Sequence, residues 1–302
     1  MMKKGLPTVL ILSFLIGSTL YLLYKSIYTK ESIVPEEKIV YYQVQDVKIP
    51  STFSFCGEKV PLHDQDVLER FDRELHVNTY WHSSSILMLK RANRWLPKIE
   101  EILKKNKVPT DFKYLPIIES QLTNAISPRG ATGFWQFMKP TALEVGLDVS
   151  SEIDERYDPL KSTYAACLYL KKAYKSLGNW TNVAAAYNMG VAGLKKNLQK
   201  QQVTSYYDLS INNETARYVF RILAIKEILE NPQKYGFNMS EEGLYTYPPL
   251  KEIKVTSSIE DLASFAKKNG ANLKLLRKYN PWLRSSKVSL KKGEELVIKL
   301  PY

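Results

Sequence analysis

Apolar residues recur at helical spacing from Leu62 to Leu103: Val67, Leu68 and Phe71, then Ile86, Leu87, Leu89 and Leu96, then Ile99, Ile102 and Leu103. Positions three and four apart share one face of a helix, so this stretch predicts helices packed on a common core. Val108-Pro109-Thr110-Asp111 predicts the end of one helix and the start of another, with Thr110 or Asp111 as the N-cap. The helix that follows is expected to start or kink at Pro116 and to present Glu119 near its C-terminal end. Thr141 to Val145 reads as a short helix, and Asp154-Glu155-Arg156-Tyr157-Asp158-Pro159 as a polar turn. Leu160 to Leu177 is an amphipathic pattern stopped by Gly178, a residue suited to a C-cap. Asn179-Trp180-Thr181 opens a helix that carries Tyr187 and Asn188 and is expected to break at Gly190 and Gly193. A last helix begins at Glu214-Thr215-Ala216-Arg217-Tyr218-Val219 and runs to about Leu229. No strand alternation of any length interrupts Leu62 to Leu229, so the expected fold class is mainly α.

The two ends differ from this middle. Leu6 to Tyr24 carries no charge and lies between Lys3 and Lys4 on one side and Lys25 on the other. At about 1.5 Å per residue it is close to the length that crosses a hydrocarbon core. It reads as an uncleaved signal anchor or a cleaved signal peptide, and the lack of a convincing small-x-small cleavage site favours the anchor. On either reading the rest of the chain is exported. Ser32 to Phe55, with Pro35, Glu36, Glu37, Asp46 and Pro50, reads as a tether or extended arm, and Pro232 to Leu250, rich in Tyr, Pro and Gly, as a linker. Beyond it, Glu252 to Val255 alternates like a strand, Ile259 to Lys268 and Leu273 to Tyr279 read as short helices, and Glu295 to Leu300 alternates again. The expected organisation is therefore anchor or signal peptide (1–31), tether (32–60), helical domain (61–232), linker (233–250) and a small βααβ module (251–302).

A chain of 302 residues has room for one medium domain and a small second one. Its net charge of +12 predicts attraction to polyanions. The lysines are spread along the chain without the basic and aromatic interleaving of a nucleic-acid platform, so an anionic envelope surface is the preferred partner over nucleic acid. Cys56 and Cys167 are too few and too far apart for a disulfide framework or a zinc site, and Cys167 reads as a small buried apolar residue. His63, His76 and His82 lack a ligand spacing. No metal and no cofactor are expected, and the chain is expected to act as a monomer.

The candidate chemistry lies in Glu119 to Thr141. Glu119 ends an apolar run (Leu115, Pro116, Ile117, Ile118) and precedes a loop with Gly130 and Gly133, then the cluster Phe134-Trp135-Gln136-Phe137-Met138. Such a stretch can hold one acid in a partly dry cleft. Burial and the negative end of a helix both disfavour a carboxylate, so a raised pKa is expected for Glu119. Asp111, Glu144, Asp154, Glu155, Asp158 and Glu214 lack this apolar approach. Without the flanking motifs, Glu119 would read as a solvated helix end, the aromatic residues as core, and the glycines as backbone devices.

Three motifs in order carry a resemblance: Glu119-Ser120, then Ser127-Pro128-Arg129-Gly130-Ala131-Thr132-Gly133-Phe134-Trp135-Gln136-Phe137-Met138, then Ala185-Ala186-Tyr187-Asn188-Met189-Gly190. Together they resemble the soluble-lytic-transglycosylase catalytic domain, a lysozyme-like helical fold. The likeness extends to the membrane-bound lytic murein transglycosylase D group and covers roughly Pro61 to Pro232. It implies cleavage of peptidoglycan glycan strands, in which the 6-hydroxyl of N-acetylmuramic acid attacks its own anomeric carbon to give a 1,6-anhydro end. Glu119 would act as acid and then as base. By the same resemblance Ser120 stabilises the local turn beside the substrate site, Ser127 contacts sugar, and Gln136 bonds an acetamido group. Tyr187 and Asn188 match the Ala-Tyr-Asn motif, and Tyr218 matches the late tyrosine of the cleft wall. Ser127 stands one residue closer to the acid than the family spacing. The βααβ unit resembles the LysM module, which binds N-acetylglucosamine-containing glycans, although Thr256-Ser257-Ser258 replaces its usual Gly-Asp-Thr turn. A glycan-binding and a purely structural role for it remain open, as do two rival readings of the whole: a hydrolytic muramidase and a catalytically silent peptidoglycan-binding scaffold.

Overall fold

The structure, a computed structural model, describes residues 6–28 and 44–302. Residues 1–5 and 29–43, which hold the charged start of the sequence-expected anchor and the first part of the expected tether, lie outside the described residues. Helix α1 (Leu6–Tyr28) belongs to the first of two compact units, which ends at Asp46. It is long and apolar enough to cross a membrane by length and composition, with an apolar window over Ile11–Tyr28.

The second unit runs from Val47 to Tyr302. It opens with a two-stranded hairpin, β1 (Ser54–Phe55) and β2 (Glu58–Lys59), inside the stretch expected to be an arm. The hairpin is part of the core: Phe55 is fully buried and packs edge-on against Phe112 with ring centroids 5.5 Å apart. Glu58 accepts from the backbone N–H of Trp180 (2.6 Å) and Thr181 (2.9 Å), groups that a helix start leaves without intrahelical partners.

Helices α2 (Gln65–Tyr80) and α3 (His82–Lys105) follow as the periodicity predicts. Asp64 caps α2 by accepting from Asp66 and Val67 N–H. Thr110–Tyr114 is a 3-10 turn, and neither Thr110 nor Asp111 caps it; Pro109 stands at the cap without a side-chain bond. Asp111 instead accepts from Cys56 N–H (2.7 Å) and pairs with Lys226 (2.7 Å), because the hairpin and the last helix meet there. Then come α4 (Leu115–Ser120), α5 (Lys139–Glu144), α6 (Pro159–Leu177), α7 (Trp180–Met189), α8 (Val191–Gln201) and α9 (Asn213–Glu230). Gly178 (φ 70°) ends α6 as expected. Gly190 (φ 81°) separates α7 from α8, but Gly193 lies inside α8 and breaks nothing. A helical φ is as open to glycine as a turn is, so the residue type alone did not mark a boundary.

Helix α9 is the central post. Val219, Phe220, Ile222, Leu223, Ala224 and Ile228 are fully buried. Against it α2 carries Glu74, a buried carboxylate held by Arg217 (2.6 and 3.2 Å) and Arg73 (2.6 Å). The residues after α9 form a strap laid along α3: Tyr245 N–H donates to Lys90 O, and Arg94 Nε donates to Thr246 O at 2.9 Å. Lys98 Nζ sits 4.3 Å from the centroid of the Tyr247 ring.

The C-terminal module is β3 (Leu250–Val255), α10 (Leu262–Lys268), α11 (Leu273–Tyr279) and β4 (Leu296–Pro301), with β3 and β4 antiparallel in the register Leu250↔Pro301 to Val255↔Leu296. It has its own small core, in which Leu262, Ala266, Leu276, Ile298 and Leu300 are fully buried. Asn280 ties α11 to β4, donating to Lys299 O (2.7 Å) and accepting from Lys299 N–H (2.8 Å). The module is joined to the helical domain through backbone: Asp154 N–H donates to Trp282 O at 2.9 Å and Arg284 N–H to Glu152 O at 2.8 Å.

Candidate active site

Helix α4 is only six residues long, with Pro116 in its first turn, and it ends abruptly because Gln121 (φ 52°) and Leu122 (φ 55°) are both left-handed. Three of the six non-glycine residues with positive φ among the described residues, these two and Gln136 (φ 49°), flank the candidate acid. Left-handed backbone at non-glycine residues carries a cost of about 1–3 kcal/mol and persists where surrounding packing holds it. Here Ser120 does part of the holding. It is buried, and its hydroxyl lies 3.0 Å from Pro116 O and 2.9 Å from Phe134 O, so it binds the end of α4 to the aromatic loop.

That loop is tied at several points. Ser127 Oγ accepts from Ala131 N–H at 3.0 Å, Gly133 N–H donates to Ala125 O at 2.9 Å, and Thr132 N–H donates to Phe137 O at 3.1 Å. The Gln136 amide nitrogen donates to Ala125 O (3.0 Å) and Gly133 O (2.7 Å). Gly133 (φ 80°) admits no side chain, since a Cβ there would stand 1.9 Å from Arg156 O. Arg156 is the underside of the loop: Nη1 donates to Gly130 O (3.2 Å) and Phe137 O (3.1 Å), while Nε and Nη2 form a two-point pair with Asp154 (3.0 and 2.7 Å). The turn read as polar from sequence is thus interior, with Asp154 7 % and Arg156 9 % exposed.

Glu119 is half-buried, and Tyr218 of α9 donates its phenol to Glu119 Oε1. Burial is the main cause that pushes the Glu119 pKa up to about 7; Tyr218 and the charge of Arg221 pull it down, and Glu214 adds to the rise. Tyr218 is buried and its own pKa is raised, first by burial and then by Glu119, so it remains a donor. Tyr187 is close enough for Glu119 to raise its pKa as well, and its hydroxyl donates to Trp135 O at 2.7 Å. Trp135 is fully buried, with its indole N–H on Thr163 Oγ1 at 2.9 Å.

The structure therefore brings Tyr218 onto Glu119, Tyr187 beside it, and Ser120 beneath it. Asn188 Oδ1 accepts from Thr215 Oγ1 at 2.8 Å, which links α7 to the first turn of α9. Ser127 stays in the loop turn, half-buried, with no bond to the acid. Sequence reading missed Arg221 and set Glu214 aside. Both follow from Tyr218: on one helix, residues four before and three after it share its face. It also set Asp154 aside and missed Arg156, because the loop carbonyls of Gly130 and Phe137 and the Trp282 carbonyl that make the pair interior are far away in the chain.

A single acid with a pKa near neutrality, hydrogen-bonded by a tyrosine in a helical domain, is an arrangement fit for protonating a leaving oxygen. Comparison with known proteins supplies the class. A transglycosylase SLT domain matches residues 97–209, and a soluble lytic transglycosylase C-terminal LysM-like domain matches residues 251–302. The chain is mainly α, with residues 97–209 similar to an SLT domain and residues 251–302 similar to a LysM-like module. It is 28% identical over 246 residues to the membrane-bound lytic murein transglycosylase D of Escherichia coli K12 and, equally, to that of Escherichia coli O6:H1. Those alignments cover 78% of this chain and 52% of the relative, so the chain spans about half the length of the curated relatives it matches. A solved lytic transglycosylase Slt from Pseudomonas aeruginosa, an inactive mutant, is 18% identical, with a TM-score of 0.37, over 55% of this chain and 30% of that one.

Proposed function

We propose that this chain is a lytic transglycosylase that cleaves the β-1,4 bond between N-acetylmuramic acid and N-acetylglucosamine in peptidoglycan and leaves a 1,6-anhydro end. Glu119 carries the reading: it is the carboxyl group whose pKa is lifted to about 7, and Tyr218 orients it. Protonated Glu119 gives its proton to the glycosidic oxygen as the bond from that oxygen to the anomeric carbon breaks. The carboxylate then takes the proton of the muramic 6-hydroxyl as that oxygen bonds to the same carbon. No water is consumed, and Glu119 ends protonated, ready for another turnover. An acid and base of this kind works best with a pKa near the working pH.

The remaining site residues fall into two groups. By the resemblance Gln136, Ser127 and Asn188 contact the sugar, while Tyr218 holds the acid through its hydrogen bond and Tyr187, bonded to Trp135 O, stands beside it. Ser120 acts through the turn that it braces. Helix α1 tethers the enzyme to the membrane, or is removed as a signal peptide, and the catalytic domain (61–232), linker (233–250) and LysM-like module (251–302) work in the cell envelope, where positive charge favours the anionic wall.

Glu214 supports a second reading. Its charge adds to the rise in the Glu119 pKa, and a pair of carboxylates suits hydrolysis by water. Digestion of purified peptidoglycan with product masses separates the two: anhydro ends are lighter by one water than reducing ends. Anhydro products are expected; reducing ends only would establish a muramidase. No wall solubilisation above background by the wild-type chain, and hence no change in Glu119→Gln, would leave a binding scaffold.

A further inference from the structure

A cavity of about 320 Å³ lies where α3, the strap and the C-terminal module meet. Its wall carries three cations: Arg94 from α3, Lys278 from the end of α11, and Lys299 from β4. One carboxylate faces them, that of Asp158, and its Oδ1 is already engaged by the N–H groups of Leu160 (2.8 Å) and Lys161 (3.0 Å) at the start of α6. The acid nearest Lys299 is Glu252, 3.7 Å away and largely in solvent. Arg94 spends Nε on the strap carbonyl of Thr246.

The wall also holds an unmet acceptor. Asn124, five residues after Glu119, contributes an Oδ1 that is buried and has no hydrogen-bond donor. A buried amide carbonyl without a donor is unfavourable, and an N–H from a ligand would satisfy it. Trp95 and Tyr247 supply an apolar side, edge to face with centroids 5.3 Å apart. Trp95 in turn packs edge-on against Phe134 (5.1 Å), which lies in the loop braced onto the end of α4 by Ser120. The cavity is thus one aromatic ring removed from the candidate catalytic loop.

Cations, an orphaned acceptor for N–H and an aromatic wall together describe a short peptide with free carboxylates, rather than a neutral sugar. We propose that this junction cavity binds the acidic peptide stem attached to the glycan strand, so that the LysM-like module completes a peptide site with Lys278 and Lys299. This rests on the peptidoglycan reading above and names a second part of the same substrate.

The test uses the full chain in detergent, titrated calorimetrically with a synthetic L-alanyl-γ-D-glutamyl stem peptide and with its carboxyamidated form. The free acid is expected to bind, and amidation to weaken it about tenfold or more, since hydrogen bonds to a charged carboxylate are about twice as strong as neutral ones. The double variant Lys278→Gln, Lys299→Gln should lose the same factor while its activity on peptide-free glycan strands stays unchanged. Equal affinity for both peptides, no binding by an active enzyme, or displacement of the peptide by a chito-oligosaccharide of matched affinity would overturn the proposal. If the double variant melts early, the two peptides on the wild-type chain decide alone. Lytic activity in Glu119→Gln equal to that of the wild type would sink the catalytic reading without touching peptide affinity, so the two failures are distinguishable.

Discussion

Glu119 and Asp154 are both carboxylates withdrawn from bulk water, and the protein treats them in opposite ways. Asp154 has a guanidinium gripping both of its oxygens and a backbone N–H that reaches into the module. Glu119 has one phenol, a half-open position and a cation acting only through space. A buried acid gripped by a full countercharge serves as a fastener. One that is dried but only partly compensated can change its proton near neutrality. The number and charge of partners, rather than burial alone, sorts structure from chemistry here.

Breaking the proposed acid should give the largest effect. Glu119→Gln is expected to lower turnover of peptidoglycan by about a thousandfold, within the usual contribution of a general acid and base, as measured by release of soluble muropeptides. The same substitution should sharpen the contrast in stability. A carboxyl whose folded pKa is raised to about 7 contributes no penalty below its unfolded pKa, and the folded state loses stability as pH rises through 7. The gain in Tm of Glu119→Gln over wild type should therefore be larger at pH 8 than at pH 4. An equal gain at both would show that burial does not strain this group.

Breaking the fastener comes next. Arg156→Met leaves Asp154 charged, buried and unpaired, for an expected loss of about 3–5 kcal/mol in denaturant unfolding. Its loop carbonyls at Gly130 and Phe137 lose their donor as well, so activity should fall with stability. A variant as stable as wild type would reduce Arg156 to a bystander. Gly133→Ala attacks the same contact from the other side. Its methyl would meet the Arg156 carbonyl, and its left-handed backbone adds strain, so a loss of about 1–3 kcal/mol is expected beyond whatever the loop concedes by shifting.

The smallest effect tests how partial compensation sets the proton. The Tyr218 hydrogen bond lowers the Glu119 pKa against burial. In Tyr218→Phe the pKa of Glu119 should rise, and the alkaline limb of kcat/KM, where the acid is lost, should move to higher pH. A limb that stays in place would mean that another group sets it.

Helices were legible because their signal is local. Leu160 to Leu177 shows both its apolar face and its Gly178 stop within one stretch, and Leu273 to Tyr279 was readable to the residue. The hairpin of Ser54 to Lys59 was not, since two-residue strands have no period and Phe55 is buried by partners more than fifty positions away. Glu119, Tyr187 and Tyr218 were found through motif order, a resemblance rather than a physical derivation. Glu214 and Arg221 could have been found from the helical face that they share with Tyr218.

The amino-acid order by itself determined where the helices form, which run is apolar enough to cross a membrane, that a βααβ unit closes the chain, and that one acid stands at the end of a dry approach. Those are consequences of spacing, capping and hydropathy, which act over a few residues. Only the tertiary structure decided that Asp154 and Arg156 are interior, that the strap lies along α3, and that Asn124, Arg94, Lys278 and Lys299 share one cavity. It also decided the proton affinity of Glu119, because desolvation and through-space charge depend on what the rest of the fold brings within a few ångströms.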